Sequence, residues 1–233
     1  GTVFDGRVVA GDDTARLILA PAGKPVRVRT VHAQNQPSED GRAGQRCALD
    51  LGGIAKDAVN RGDWIADTRA LLPTRNIDVE LRLLEGADIA IGNWAPLHVH
   101  LGTARRLAHA VPLDAPGIAP GHAGRVQLVF EQPLCASPGD RFIVRDAQAS
   151  RTIGGGRVLD PQGPKRRRRS PERMAWLDGI VAMLDHQDLD PLLANAPYGV
   201  DESTLVRLNG RPPERLQLPA EAGWLAPRTG APT

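Results

Sequence analysis

Three histidines in the middle of the chain are the first candidates for metal chemistry. His98 and His100 share one face of a predicted strand, and His109 lies nearby. Protein zinc sites combine histidine with cysteine or carboxylate ligands at characteristic spacings. No cysteine or glutamate stands at such a spacing here. We therefore interpret these residues as ordinary strand histidines and predict no metal site.

Catalytic motifs are absent from the sequence. The phosphate-binding pattern GxxxxGK[ST] does not occur in the 233 residues, so we predict neither GTPase activity nor guanine-nucleotide binding for this chain. Gly154-Gly155-Gly156 lacks the following helix that a dinucleotide-binding loop needs, and it is predicted to be a tight hairpin turn. No Ser/His/Asp arrangement can be defended. We assign no catalytic residue and expect that this chain is not itself an enzyme.

A compact basic block is the strongest local charge feature. It consists of Lys165, Arg166, Arg167, Arg168 and Arg169. A run of charges is usually solvated, but basic arms also flank many nucleic-acid-binding modules and contact phosphates. Both interpretations remain open for this block: a solvated linker or an RNA backbone contact.

The overall composition describes an ordinary globular chain. There are 29 basic and 27 acidic side chains, a net charge of +2, only two cysteines and 3% aromatic residues. This balance gives no segment a polyelectrolyte character, and two cysteines exclude a disulfide-rich scaffold. No apolar run reaches the length of a membrane-spanning helix. We expect a cytoplasmic protein without a membrane partner.

Short strands dominate the first two thirds of the chain. Residues 2–9, 16–20, 25–33 and 45–51 are predicted strands, a turn at 60–65 leads into a closing strand, and 34–44 is predicted to be a polar connection. This pattern favours a small closed barrel over residues 1–72. A second all-β unit is predicted over 73–163, with strands at 77–84, 97–102, 125–130 and 141–145.

The pattern changes to helices after Pro161. Ser170, Pro171 and Glu172 are a typical helix start. Met174, Leu177, Val181 and Leu184 then recur on one helical face. Another short helix is predicted over 201–208, with two possible wing strands at 216–218 and 223–225. Residues 164–233 are thus predicted to be a basic linker followed by a winged-helix domain. The fold class is mainly β followed by α+β.

Six sequence runs carry a specific family resemblance. The segments KPVRVRTVHAQNQP (24–37), AGQRCAL (43–49) and NRGDW (60–64) resemble domain II of bacterial selenocysteine-specific elongation factors. The segments HVHLGT (98–103), GDRFIVRD (139–146) and TIGGGRVLDP (152–161) are similar to domain III. The resemblance implies two elongation-factor-Tu-like β-barrels followed by a partial winged-helix domain.

The resemblance also implies roles for individual residues. The position of Arg46 matches the aminoacyl pocket, where a guanidinium would contact the selenocysteine selenolate; a strand-end salt bridge is the alternative. The position of His32 matches the place where the tRNA 3′-terminal adenosine packs; an exposed strand histidine is the alternative. The implied partners are selenocysteyl-tRNA, a selenoprotein messenger RNA hairpin and the ribosome, bound by a monomer.

A GTPase domain is implied as well, outside these residues. The chain begins at Gly1 and its only methionines are Met174 and Met183. We therefore expect an N-terminal part, carrying GTP and Mg²⁺ and the first strand of domain II, to precede Gly1. Two functions are considered: part of a translation elongation factor that delivers selenocysteyl-tRNA to UGA codons, or a stand-alone β-barrel and winged-helix regulator that binds nucleic acid.

Overall fold

A computed structural model describes residues 7–12, 16–196 and 198–210, together with Leu218, Ala222 and Gly223. The predicted wing strands fall almost entirely outside these residues. The described elements are fourteen strands, a single-turn 3-10 helix (Lys56–Ala58) among the N-terminal strands, and three α-helices after the last strand.

The N-terminal unit contains eight short strands. They are β1 (Arg7–Val9), β2 (Leu17–Ala20), β3 (Lys24–Pro25), β4 (Arg27–Ala33), β5 (Gln36–Ser38), β6 (Asp40–Arg42), β7 (Cys47–Gly52) and β8 (Trp64–Asp67). Hydrogen bonding divides the described strands into three small antiparallel sheets, ordered β1-β6, β3-β2-β8 and β5-β4-β7. Apolar side chains from all three sheets pack into one core that includes Val8, Leu19 and Val31. The segment 34–44 was predicted to be a polar connection, but it contains β5 and β6. The sequence did not reveal these strands because very short polar strands carry little periodic signal.

The second unit is a closed six-stranded antiparallel barrel. Its strands are β9 (Thr74–Leu83), β10 (Ala95–Leu101), β11 (Ala104–Pro112), β12 (Ala123–Leu134), β13 (Arg141–Arg145) and β14 (Thr152–Asp160). They close in the order β10-β11-β12-β9-β14-β13. Inward residues alternate along each strand, and their apolar side chains fill the interior. Strand β11 is absent from the predicted set, since its run Arg105-Arg106-Leu107 breaks the alternation of apolar and polar residues.

The prediction of a hairpin turn at Gly154-Gly155-Gly156 is wrong. These glycines lie inside β14, and the hairpin turn is the segment 146–151 between β13 and β14. A Cβ atom on Gly156 would lie 1.8 Å from the Glu80 carbonyl oxygen, and one on Gly154 would lie 2.4 Å from the Arg82 carbonyl oxygen. The glycines are therefore needed because the backbones of β9 and β14 approach too closely for side chains.

Three helices follow the barrel: α1 (Pro171–His186), α2 (Asp190–Ala194) and α3 (Glu202–Asn209). The Ser170 side chain accepts a hydrogen bond from the Arg173 N–H and caps α1, as predicted. The most buried side chains of α1 are Leu177, Ile180 and Met183, whereas Val181 and Leu184 are only partly buried. The buried face of α1 is thus rotated slightly from the predicted one. Asp201 caps α3 through the Thr204 N–H, which confirms the second predicted helix.

A buried ionic cluster attaches α1 to the barrel. The Arg173 guanidinium lies 2.5 Å from the Asp78 carboxylate of β9 and 2.9 Å from the Asp160 carboxylate of β14. The Trp176 indole N–H donates to Asp160 at 3.1 Å, and the Gln127 amide donates to Asp78 at 2.8 Å. Burial raises the pKa of the Asp78 carboxyl, and the positive charge of Arg173 opposes this effect. The cluster therefore fixes where the first helix begins on the barrel wall.

Candidate nucleic-acid interface

The HAQNQP run forms a tight β-hairpin between β4 and β5. Ala33 pairs with Gln36, so Gln34 and Asn35 form a two-residue turn. Both turn residues have positive φ, 53° and 66°. Two consecutive left-handed residues match the type I′ turn that the twist of a hairpin favours, and Asn tolerates this conformation well. The motif therefore sets the geometry of one end of the β5-β4-β7 sheet.

His32 and Arg46 lie together at that end of the sheet. His32 is exposed and pairs with Ala48 of β7, and Arg46 directly precedes that strand. The Gln34 N–H donates to the Arg46 carbonyl oxygen at 2.8 Å, so the turn holds the Arg46 backbone. Arg46 is the diagonal neighbour of His32 across the strand pair, within about 7–8 Å by ordinary sheet geometry.

The Arg46 guanidinium is exposed to solvent. Within residues 7–12, 16–196 and 198–210, no ion pair to it is found, so the strand-end salt bridge that was its alternative interpretation is not observed. The preceding turn is ordered by Gln45, whose side-chain oxygen accepts from the Arg42 N–H at 2.8 Å. The sequence AGQR thus presents a positively charged side chain beside His32 on an ordered loop.

The basic block 165–169 belongs to a different unit, at the side of the second barrel. Hydrogen bonds hold the segment 163–169, which includes the block, at three points. The Arg169 guanidinium donates to the Pro112 carbonyl at 2.8 Å, the Gln127 amide to the Pro164 carbonyl at 3.1 Å, and the Gly163 N–H to the Asn76 carbonyl at 3.0 Å. Lys165, Arg166 and Arg167 remain exposed. The block is therefore an anchored connection with outward charges.

An aromatic pair beside the basic block has no counterpart in the sequence-based prediction. Trp94 is 52% exposed, and its indole stacks on the His109 imidazole with ring centroids 4.8 Å apart and an interplanar angle of 12°. In the sequence, the pair is indicated only by the tryptophan that follows Gly92-Asn93. The pairing depends on the register of β10 and β11, which sequence spacing does not reveal.

The other two histidines considered as metal ligands, His98 and His100, lie on the outward-facing side of β10. His98 pairs with Arg145, and His100 pairs with Arg105 and Ile143. Burial, the charges of Arg105 and Arg145, and His98 lower the pKa of His100. In the described part of the chain, no group of three or more potential ligand side chains is arranged to hold a metal ion. Among the described helices, none has the length and apolar character needed to cross a bilayer.

Sequence comparisons connect the chain to one group of translation factors. Residues 75–165 match the family model described as the selenocysteine-specific elongation factor, beta-barrel domain. The chain is 35% identical over 232 residues to the selenocysteine-specific elongation factor of Escherichia coli K12, covering 96% of this chain and 35% of that protein. The protein of that name from Haemophilus influenzae is 32% identical over 182 residues, which cover 78% of this chain and 28% of the relative.

Structural comparison gives the same fold. The crystal structure of a bacterial selenocysteine-specific elongation factor, EF-Sec, matches with a TM-score of 0.66 and 21% identity, covering 88% of this chain and 32% of that one. This chain spans about a third of the length of the relatives named. The match supports the predicted architecture of elongation-factor-Tu-like barrels followed by a partial winged-helix domain. Residues 75–165 thus match the beta-barrel domain of selenocysteine-specific elongation factors, and over most of its length the chain is similar to about a third of such a factor.

Proposed function

We propose that this chain forms the tRNA-binding part of a translation elongation factor that delivers selenocysteyl-tRNA to the ribosome. Delivery would occur at UGA codons marked by a messenger RNA hairpin, and the factor would act as a monomer in the cytoplasm. In this proposal the first two units bind the tRNA, and the helical unit begins an arm that binds the messenger RNA. The named relatives favour this function over a stand-alone regulator.

The observation that carries the proposal is the shared position of His32 and Arg46. A selenol is ionised at neutral pH, whereas the serine carried by the precursor form of the same tRNA is neutral. A guanidinium forms charge-assisted hydrogen bonds with an anion, about twice as strong as neutral ones. The His32 imidazole would stack on the unpaired terminal adenosine. One end of a single sheet would thus read both the amino acid and the tRNA end.

Selectivity through Arg46 requires exclusion of water from the pocket. Arg46 is exposed in this chain, and a charge contact is far weaker in water than in a low-dielectric site. A GTPase domain bound against this face would provide that exclusion. The sequence contains no GxxxxGK[ST] loop, so GTP and Mg²⁺ would bind to that other domain, and no step of GTP hydrolysis is assigned to these residues.

The test is the selectivity of an Arg46→Ala variant. A charge-assisted hydrogen bond contributes about 1.5–3 kcal/mol, or roughly 10- to 150-fold in affinity. In a complete factor that contains this chain, in its GTP form, Arg46→Ala should weaken selenocysteyl-tRNA binding by that factor and leave seryl-tRNA binding nearly unchanged. Arg46→Lys should restore only part of the affinity, because an ammonium lacks the planar donor pair.

The readout is the ratio of the two dissociation constants, wild type against variant. Arg105→Ala is the matched control, since Arg105 is an exposed arginine on the second barrel and should leave the ratio unchanged. An equal loss of affinity for both tRNAs would show that Arg46 contacts the tRNA backbone or supports the loop, and would remove the pocket assignment.

A further inference from the structure

A shallow cavity on the second barrel lies between Trp94 and the basic block. Its volume is about 420 Å³, and its lining combines Trp94 and Val111 of the barrel with Arg167, Arg168 and Arg169. Neither His32 nor Arg46 lines it. The cavity is therefore separate from the surface proposed to hold the tRNA 3′ end.

The aromatic wall of this cavity is fixed in position. The backbone N–H of Trp94 donates to the Ala110 carbonyl at 2.7 Å, and the Trp94 backbone has a φ of 64°. His109 covers one face of the indole, while about half of the side chain stays exposed. An indole held flat against an imidazole keeps its orientation without a bound partner. A planar ligand that stacks on it consequently loses little freedom in the protein.

The cationic wall is held almost as firmly. Arg169 is tied to the Pro112 carbonyl, and Arg168 donates to the Lys165 carbonyl at 2.8 Å. The Ser170 N–H donates to the Arg167 carbonyl at 3.1 Å, just before Ser170 caps α1. Within the described part of the chain, the Arg167 guanidinium donates no hydrogen bond. Its donors can therefore reach an anion in the cavity.

We propose that this cavity binds an unpaired nucleotide of single-stranded RNA, with its base stacked on Trp94 and its phosphates held by the arginines of the basic block. Aromatic platforms beside cationic grooves are the usual means by which proteins hold single strands without reading their sequence. Duplex bases already stack on each other and offer no free face. This assignment builds on the proposed RNA-binding function and adds a second RNA contact to it.

The main test measures how the 233-residue chain binds a six-nucleotide oligoadenylate. Loss of one base–aromatic stack weakens binding by roughly 5- to 150-fold. Trp94→Asn should show a loss in this range, because Asn removes the ring and tolerates the left-handed backbone. Trp94→Phe should retain most of the affinity. Tyr198→Asn is the control, since it removes a fully exposed aromatic from the helical unit and should have no effect.

Two further measurements separate the contribution of base stacking from that of phosphate charge. An abasic ribose-phosphate hexamer should bind the wild type no better than oligoadenylate binds Trp94→Asn, because it offers phosphates without bases. Arg167→Asn should reduce the slope of log affinity against log salt by about 0.7, the contribution of one phosphate contact on a single strand. Thermal unfolding of each variant confirms that the fold is retained.

The possible outcomes distinguish the two proposals. The nucleotide site is overturned if Trp94→Asn and the wild type bind oligoadenylate equally well, or if the wild type binds the abasic hexamer as well as oligoadenylate. The cavity would then be a surface that attracts RNA by charge alone, or one that binds a protein. If Trp94→Asn binds oligoadenylate as well as the wild type does, while Arg46→Ala still alters tRNA selectivity, only the cavity assignment is lost.

Discussion

Individual residues in this protein are constrained most strongly by backbone proximity. The glycines of β14 have no space for a Cβ atom because β9 and β13 lie against them. Gly156 is the extreme case, with a Cβ position 1.8 Å from the Glu80 carbonyl oxygen. A residue that seems a flexible turn former in the sequence is thus a requirement for closing the barrel.

Gly156→Ala should therefore destabilise the chain. Even one added methyl must push β9 and β14 apart, and overpacking of this kind typically costs about 1–3 kcal/mol or more. The free energy of unfolding, measured by urea titration, should fall by at least that amount. Gly86→Ala is the control, because no atom lies within 4 Å of its Cβ position, and its effect should stay within about 0.5 kcal/mol. Equal midpoints for the two variants would contradict this packing account.

At the scale of elements, the junction of barrel and α1 depends on buried charge. Arg173 is only 11% exposed and Asp78 is fully buried. An ion pair of this kind contributes little net stability compared with apolar packing, but removal of one partner leaves an uncompensated buried charge. The cluster consequently makes the position of α1 on the barrel specific.

Arg173→Met should cost about 3–5 kcal/mol near neutral pH. Burial already raises the pKa of Asp78, and loss of the guanidinium raises it further. Ionised Asp78 disfavours the folded variant, and the titration of the unfolded chain is the same in both proteins. The deficit therefore grows as the pH rises above the raised pKa of Asp78 in the folded wild type, and it shrinks in acid, where Asp78 is protonated in both folded proteins. Urea titrations across pH 3–7 provide the measurement. Arg151→Met breaks a solvent-exposed pair with Asp88 and should cost at most about 1 kcal/mol. A deficit independent of pH would exclude Asp78 ionisation as its cause.

At the scale of the whole molecule, the two β units pack against each other directly. Ala20, Ala66 and Leu71 of the first unit form an apolar cluster with Cys135 at the end of β12. Burial raises the pKa of the Cys135 thiol to about 12, so it acts there as an apolar side chain. Gly62 of the NRGDW run adds a contact, with its Cβ position 2.7 Å from the Ala104 Cα of β11. The motif therefore fits the first unit against the second.

Gly62→Ala should weaken this interface. Its φ is +97°, and Gly53→Ala is a matched control because Gly53 has a φ of +86° with no atom closer than 3.5 Å. Both variants carry the backbone strain, of order 1–3 kcal/mol, but only Gly62→Ala clashes with the barrel. Limited proteolysis of the connection at 68–73 should be several times faster for Gly62→Ala than for Gly53→Ala, because only Gly62→Ala also disturbs the packing of the first unit against the barrel. The same cleavage rate for both would mean that Gly62 serves only the conformation of its own turn.

The sequence by itself determined the fold class and located several of the elements, although it missed β11 and misplaced β14. Alternating apolar residues located β4, β9, β10 and β13, and the Ser170-Pro171 start located α1, since these signals are local along the chain. The resemblance singled out His32 and Arg46, and their roles remain proposals. Only the tertiary structure decided the place of the three glycines inside β14, the ionic cluster of Arg173, and the pairing of Trp94 with His109 beside the basic block. Each depends on strand register and barrel closure, which bring together residues far apart in sequence, and no local pattern encodes such contacts.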